Sequence, residues 1–149
     1  MEQEGKRPHL IQMLLVEDNP GDVGLIREAF YGCKLCNDLQ VAKDGQEALD
    51  MLRAASDSEL PDIVLLDLNL PRVTGQEVLA EMRKDDRLKR ICTVVLTSSQ
   101  AERDIVKSYE LGANAYVCKP IRLEEIRDMV SRLEGFWVGI VKFSPRGYR

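Results

Sequence analysis

Short apolar runs alternate along the chain with stretches whose apolar residues recur every three or four positions. Five of the runs have the length of strands, and they predict strands at residues 11–16, 38–42, 63–66, 91–96 and 115–118. The run at 63–66 is apolar at every position, which is typical of a strand covered on both faces. It lies between Pro61 and the carboxylate of Asp67. This strand is therefore expected at the centre of the sheet.

The stretches between the runs predict helices at residues 23–31, 46–54, 75–84, 102–110 and 123–133. Val78, Leu79 and Met82, for example, fall on one face of the third helix. Strands that alternate with helices of this length indicate a parallel sheet with helices on both faces. Right-handed crossovers then favour a doubly wound α/β fold. For five strands we expect the flavodoxin-like order 2-1-3-4-5.

The apolar pattern of the last helix continues beyond the predicted domain, as far as Val141. We therefore expect a flexible leader at residues 1–9, a single domain at 10–133 and a C-terminal extension at 134–149, with the last helix running into the extension. Exposed apolar residues in that extension, Trp137 among them, indicate a contact with a partner, which could be a second copy in a homodimer or a kinase. Folding of the extension back onto its own domain is the competing outcome.

Composition excludes several classes of protein. The chain has 149 residues, 44% of them hydrophobic and 31% charged, as expected for one ordinary globular domain. A net charge of -4 leaves no basic surface for nucleic acid. No apolar run approaches the roughly 20 residues of a membrane span, and the polar N-terminus is no secretory signal. The expected location is the cytoplasm. Only thirty residues follow Lys119, so we expect no DNA-binding or enzymatic output domain.

Polar and charged residues follow four of the predicted strands. In an open parallel sheet, ligand sites lie beyond the carboxyl ends of the strands. In the order 2-1-3-4-5, strands 1, 3, 4 and 5 are neighbours, so the residues at their ends can converge on one pocket. These residues are Glu17, Asp18, Asp67, Thr97 and Lys119.

The chemistry of this set points to phosphoryl transfer. Three clustered carboxylates repel one another, and a hard divalent cation such as Mg²⁺ relieves that repulsion. The Lys119 ammonium and the Thr97 hydroxyl are suited to phosphate oxygens. Together these groups form the parts of an aspartyl-phosphate site, in which Asp67 is a candidate reactive group. The simpler interpretation, that Asp67 only caps the following helix, does not account for the joint placement of the other four.

The same residues resemble the signature of two-component response regulator receiver domains, and the resemblance covers residues 11–133. It implies that Asp67 is the phosphoacceptor and that Glu17, Asp18, Asp67 and the backbone carbonyl of Asn69 hold Mg²⁺. It also implies that Thr97 follows the phosphoryl group, that Lys119 contacts it, and that Tyr116 is the switch aromatic.

A finer resemblance joins the segments at residues 16–22, 66–71, 108–109 and 136–137 to the single-domain regulators of phytochrome-type histidine kinases. It implies a sensor histidine kinase as partner, and a downstream protein target or phosphotransfer protein. From charge, hydropathy and length we also expect no enzymatic activity, no nucleic-acid binding and no membrane contact.

Three alternatives share parts of this pattern. A phosphorylation-independent adaptor on the same fold predicts a broken pocket, whereas the predicted pocket is complete. A flavodoxin-like ligand-binding protein would need a glycine- and hydroxyl-rich loop after strand 1, where this chain has Glu17-Asp18-Asn19-Pro20. An aspartyl-phosphate hydrolase usually has a second acid two residues after its nucleophile, and here that residue is Asn69.

Overall fold

The fold is a parallel five-stranded sheet covered by helices on both faces. The computed structural model describes residues 11–31, 36–98, 107, 109–119, 122–129 and 131–132. The strands are β1 (Ile11–Val16), β2 (Cys36–Ala42), β3 (Ile63–Asp67), β4 (Cys92–Thr97) and β5 (Ala115–Cys118). All four pairings are parallel and the order is β2-β1-β3-β4-β5. The predicted fold class and strand order are confirmed.

Three helices are described with both ends: α1 (Pro20–Tyr31), α2 (Gly45–Ala54) and α3 (Gly75–Lys84). Residues 107, 109 and 110 are helical, and so are residues 123–129 and 131–132. Short 3₁₀ turns lie at Asp57–Glu59 and Leu88–Arg90. The predicted continuation of the last helix to Val141, and the extension at 134–149, lie outside the described residues.

Helices α2 and α3 begin where side chains satisfy their first backbone N–H groups. The Asp44 carboxylate accepts a hydrogen bond from Glu47 N at 2.8 Å, and the Thr74 hydroxyl accepts one from Glu77 N at 3.2 Å. The Glu77 carboxylate in turn accepts from Thr74 N at 2.8 Å, which completes a capping box. Local chemistry therefore sets the start of both helices, next to the carboxyl edge of the sheet.

Two hydrophobic clusters cover the two faces of the sheet, and β3 contributes to both. Val64 and Leu66 join the cluster on the side of α2 and α3, whereas Ile63 and Leu65 join the cluster on the side of α1. All four side chains are completely buried, as the unbroken apolar run predicted. Asp67 is thus carried by the most enclosed strand. Within the described ranges, no helix has the length and apolarity needed to cross a bilayer.

Candidate functional site

The predicted site residues lie where four strands end at one edge of the sheet. Glu17 follows β1, Asp67 and Thr97 end β3 and β4, and Lys119 follows β5. Backbone hydrogen bonds hold this edge together, from Leu68 N to Leu96 O at 3.0 Å and from Lys119 N to Thr97 O at 2.8 Å. Glu17, Asp67 and Thr97 are at most 2% exposed. Charged groups are rarely buried this deeply unless they are paired or bind a metal.

Three of the carboxylates form a compact group. One oxygen from each of Glu17, Asp18 and Asp67 can be chosen so that all three lie within 4.8 Å of one another. Glu17 and Asp67 are buried, whereas Asp18 is exposed and faces solvent. The group therefore has a closed inner side and an open outer side.

The Lys119 ammonium lies at the inner side of this group. Its Nζ is 2.8 Å from Glu17 Oε1, 3.1 Å from Asp22 Oδ2 and 3.2 Å from Asp67 Oδ2. Asp22 was not among the sequence-predicted site residues, because its neighbourhood, Asn19-Pro20-Gly21, indicated only a turn and a helix start. The available signal was its place in the first turn of α1, directly after the loop that carries Glu17 and Asp18.

The electrostatics of the site favour a charged lysine and penalise a charged Glu17. Burial raises the pKa of Glu17, and the nearby charge of Asp67 raises it further, against the opposing effects of Lys119 and the Asn19 N–H. Burial alone would lower the pKa of Lys119, but its close contacts with the Glu17 and Asp22 carboxylates and the charge of Asp67 raise that pKa overall. Lys119 is therefore an ammonium ion, and one cation faces several acids.

Asp67 is held through both of its carboxylate oxygens. Oδ1 accepts a hydrogen bond from Asn69 N at 3.0 Å, and Oδ2 accepts one from Lys119 Nζ at 3.2 Å. The Asn69 side chain donates to Ser98 Oγ at 3.3 Å and so links the loops after β3 and β4. Ser98 was not among the sequence-predicted site residues, although it directly follows Thr97 in the chain. The role of the Asn69 carbonyl as a metal ligand remains a prediction.

Glycine at position 75 lets the N-terminus of α3 approach the end of β3. A Cβ at this position would collide with the backbone oxygen of Asp67 and would lie 2.7 Å from Leu68 Cα. Gly75 N also donates to Leu68 O at 3.1 Å. The backbone that carries Asp67 is therefore fixed from one side by the helix that follows it.

Tyr116 lies apart from the carboxylate group. Its side chain is 40% exposed on β5, and its ring contacts Tyr109 edge to face, with centroids 6.2 Å apart and an interplanar angle of 78°. The structure thus brings Glu17, Asp18, Asp67 and Lys119 together and leaves Tyr116 facing outward. Thr97 lies buried at the same edge.

The donor set fits a hard divalent cation. Glu17 Oε1 is buried, and its contact with Lys119 Nζ at 2.8 Å is an ion pair without the alignment of a hydrogen bond. The same ammonium also pairs with Asp22 and Asp67, so a single cation faces several buried or partly buried acids, and a second positive charge would lower the cost of burying them. Carboxylate oxygens at the open side, with space for water, are the ligands that Mg²⁺ and Mn²⁺ use. Glu17, Asp18 and Asp67 are the residues that would hold it.

Comparisons with known proteins agree with the fold and with the site. Residues 13–131 match the response regulator receiver domain family. The chain is 40% identical over 144 residues to response regulator Rcp1 of Synechocystis sp. (strain ATCC 27184 / PCC 6803 / Kazusa), and the match covers 95% of this chain and 97% of that protein.

Two solved structures are similar over nearly the same length. The phosphorylated cyanobacterial phytochrome response regulator RcpA is 41% identical with a TM-score of 0.76, over 86% of this chain and 94% of that chain. The Mn²⁺-bound form of Rcp1 is 40% identical with a TM-score of 0.74, over 86% of this chain and 94% of that chain. A divalent cation and a phosphoryl group are thus known in such structures. By the extent of these matches, the chain belongs to the response regulator receiver domain family, whose function is phosphorylation-dependent signalling.

Proposed function

We propose that this protein is a single-domain response regulator that accepts a phosphoryl group on Asp67 from a histidine kinase in a Mg²⁺-dependent reaction. It passes the signal on by protein contact or by phosphorelay to a phosphotransfer protein. The observation that carries the proposal is the environment of Asp67, a buried carboxylate 3.2 Å from the Lys119 ammonium and grouped with Glu17 and Asp18.

The residues support a direct displacement at phosphorus. An Asp67 oxygen forms the new O–P bond while the P–N bond of a phosphohistidine breaks, and the electron pair returns to the imidazole nitrogen, which takes up a proton from water. Asn69 N holds Asp67 Oδ1 at 3.0 Å, so the carboxylate is oriented before the donor arrives. Lys119 Nζ, which donates a hydrogen bond to Asp67 Oδ2, can also donate one to a phosphoryl oxygen. Thr97, at the end of the neighbouring strand, is the hydroxyl that follows the phosphoryl group.

A Mg²⁺ ion would be held by Glu17, Asp18 and Asp67, with the Asn69 carbonyl as a further ligand. When bound, it offsets the charge of the carboxylates and of the phosphoryl oxygens. The chain's own contribution is the closed inner side of the group, which keeps water from Asp67, and the exposed Asp18, which marks the side open to a donor.

The partners follow from the same proposal. Rcp1 and RcpA are response regulators, and the structure of RcpA is that of a phytochrome response regulator, which supports a phytochrome-type sensor histidine kinase as the donor. The protein would act in the cytoplasm, without an enzymatic activity of its own and without binding nucleic acid. Residues 10–133 would form the receiver domain, and residues 134–149 would contribute to a homodimer.

The switch would couple Thr97 to Tyr116. Thr97 on β4 pairs with Cys118 on β5, two residues after Tyr116, so Thr97 and Tyr116 lie on neighbouring strands. Movement of Thr97 toward a phosphoryl group would free space for the exposed Tyr116 ring to turn inward. A beryllofluoride-bound structure in which Tyr116 still contacts Tyr109 would contradict this step.

The test is phosphorylation by acetyl phosphate with Mg²⁺, followed by mass spectrometry. We expect one added phosphoryl group on the wild type and none on Asp67→Asn. Asp62→Asn is the matched control, because Asp62 is also buried beside β3 but lies at its opposite end. Label on Asp67→Asn would place the acceptor elsewhere. A wild type that takes no label from acetyl phosphate or a kinase would favour the adaptor instead.

Dimerisation has its own test. Sedimentation at micromolar concentration should show a dimer, and truncation after Leu133 or the substitution Trp137→Ala should dissociate it. A dimer indifferent to the truncation would contradict a role for residues 134–149. A wild type that sediments as a monomer, with the fluorescence of Trp137 shielded from solvent, would favour folding of the extension onto its own domain.

A further inference from the structure

The third helical residue is acidic in each of the three helices described with both ends. In α2 this residue is Glu47, in α3 it is Glu77, and in α1 it is Asp22, which follows Asn19, Pro20 and Gly21. An acid at this position ordinarily accepts the backbone N–H of the residues just before its helix. The three helices therefore offer an internal comparison.

In α2 and α3 the acid does accept such an N–H. Glu47 Oε1 accepts a hydrogen bond from Lys43 N at 2.7 Å, and Glu77 Oε1 accepts one from Thr74 N at 2.8 Å. Both carboxylates are satisfied by their own helix starts. Neither has a described contact with the carboxylate group at the sheet edge.

In α1 another residue fills that role. The Asn19 N–H donates to Glu17 Oε2 at 3.1 Å, and the Asn19 side-chain oxygen accepts from Gly21 N at 2.8 Å and from Asp22 N at 3.1 Å. The start of α1 is thus capped without the Asp22 carboxylate. Asp22 Oδ2 instead lies 3.1 Å from Lys119 Nζ.

An ammonium group has three N–H donors, and Lys119 has three carboxylate partners. Glu17 lies at 2.8 Å, Asp22 at 3.1 Å and Asp67 at 3.2 Å, and the side chains of Lys119 and Asp22 are only 16% and 20% exposed. Glu17 and Asp22 lie on the chain before and within α1, whereas Asp67 ends β3. Two acids near the start of α1 therefore share the Lys119 ammonium with Asp67, to which Lys119 donates a hydrogen bond.

We propose that Asp22 is a positioning residue for the phosphoryl transfer to Asp67. With Glu17 it forms the ion pairs that hold the Lys119 ammonium in place, so that the N–H donated to Asp67 Oδ2 stays directed at Asp67 and at the oxygen of an incoming phosphoryl group. The inference rests on the proposed function and adds a residue to it. Asp22 touches neither substrate nor metal in this scheme, and it acts through Lys119.

Two other roles for Asp22 give different results. If Asp22 only adds negative charge, removing the charge by any substitution should speed the reaction with an anionic phosphodonor. If Asp22 only stabilises the start of α1, its loss should lower the melting temperature and leave the reaction rate of the folded protein unchanged. Two substitutions of Asp22 distinguish these two roles from the proposed positioning role. One keeps a hydrogen-bond acceptor at this position and the other removes it.

The experiment measures the initial rate of Asp67 phosphorylation against acetyl phosphate concentration, at saturating Mg²⁺. The variants are Asp22→Ser, whose hydroxyl is too short to reach Lys119, and Asp22→Asn, which keeps an acceptor oxygen at nearly the same place. We expect Asp22→Ser to lower the maximal rate about tenfold, the loss that one hydrogen bond to a charged group predicts. Asp22→Asn should stay within about threefold of wild type, since the acceptor remains.

The control is Glu47→Ser, which removes the acid at the same helical position of α2 and should leave the maximal rate unchanged. Asp22→Ala is a second variant without an acceptor, should Asp22→Ser not fold. A maximal rate equal to wild type in the folded Ser or Ala variant would overturn the inference, as would acceleration in both the Ser and the Asn variants. A wild type that is never labelled would contradict the proposed function itself, so the two failures are distinguishable.

Discussion

The two ends of β3 each carry a buried aspartate, and the two are used differently. Asp62 immediately precedes the strand and is 6% exposed, whereas Asp67 ends it and is 2% exposed. Asp62 Oδ2 accepts a hydrogen bond from Gln12 N at 2.9 Å, while Asp62 N donates to Gln12 O at 2.8 Å. This reciprocal pair continues the pairing of β3 with β1 beyond the strand.

A second reciprocal pair of hydrogen bonds lies at the edge of the sheet where the strands begin, the edge that also carries Asp62. Asn114 N donates to Thr93 O at 2.7 Å, and Thr93 N donates to the Asn114 side-chain oxygen at 2.8 Å. At the amino edge of the sheet, polar side chains thus meet backbone groups. At the carboxyl edge, Asp67 meets the Lys119 ammonium and the Glu17 and Asp18 carboxylates. Burial alone does not mark a reactive aspartate, whereas the charge of its partners does.

The largest change should follow from Gly75→Ala, which disturbs the carboxyl end of β3 alone. The added Cβ would collide with the Asp67 backbone oxygen, and backbone atoms cannot turn aside as a side chain can. We expect a loss of about 3 kcal/mol in the free energy of unfolding, at the upper end for overpacking. Urea denaturation measures it. A stable variant that is still labelled on Asp67 at the wild-type rate would mean that the close approach has no bearing on the site.

Mg²⁺ should stabilise the protein through the carboxyl edge only. At a Mg²⁺ concentration one hundred times its dissociation constant, the free energy of unfolding should rise by about 2.7 kcal/mol, because the ion binds the folded state. Thermal melts with and without Mg²⁺ measure the effect. It should persist in Asp62→Asn and largely disappear in Asp18→Ala and Asp67→Asn. An equal gain in all four proteins would locate the ion elsewhere.

Asp62→Ala should lower the stability and leave phosphorylation intact, whereas Asp67→Asn should abolish phosphorylation. It leaves the Gln12 N–H without the carboxylate that it contacts, which should cost about 2 kcal/mol of stability. Phosphorylation of Asp67 by acetyl phosphate should continue in the folded fraction. Denaturant unfolding, together with mass spectrometry, checks both halves. A stability equal to wild type would show that the Gln12 N–H finds another partner.

The smallest effect should come from Gly24→Ala, which tests whether α1 can be strengthened without touching the site. A Cβ at this position would meet no atom within 4 Å. Replacing glycine by alanine inside a helix should stabilise it by up to about 1 kcal/mol. The melting temperature should rise, while the dependence of phosphorylation rate on acetyl phosphate concentration stays the same. A fall in stability would contradict the open space seen around Gly24.

Much of the fold could be predicted because hydrophobic periodicity dominates it. The bounds of β1, α3 and β5 agree with the pattern, and β3 is longer by Asp67. Helix α1 begins at Pro20 rather than at residue 23, because Asn19 caps it and proline suits a first helical position. Strand β2 begins at Cys36 rather than 38, with a register shift opposite Ile11 and Gln12 that no local pattern reveals.

The site was predicted only as far as strand ends could be located. Residues directly at those ends, such as Asp67 and Lys119, follow from topology. Asp22 does not, because its contact with Lys119 depends on how α1 leaves the sheet and on Glu17 taking the Asn19 N–H. The hydrogen bond from Asn69 to Ser98 joins two loops, and sequence spacing carries no information about such a distance.

Strand β3 is the middle strand of five, and the four apolar side chains before Asp67 are completely shielded from water. Its amide protons should therefore be among the slowest in the molecule to exchange with solvent, since they open only when the whole domain does. Asp67, the proposed acceptor, therefore ends a central and fully buried strand. After a chemical change at Asp67 we therefore expect β3 to keep its position, while the loops and side chains around Asp67 move relative to it.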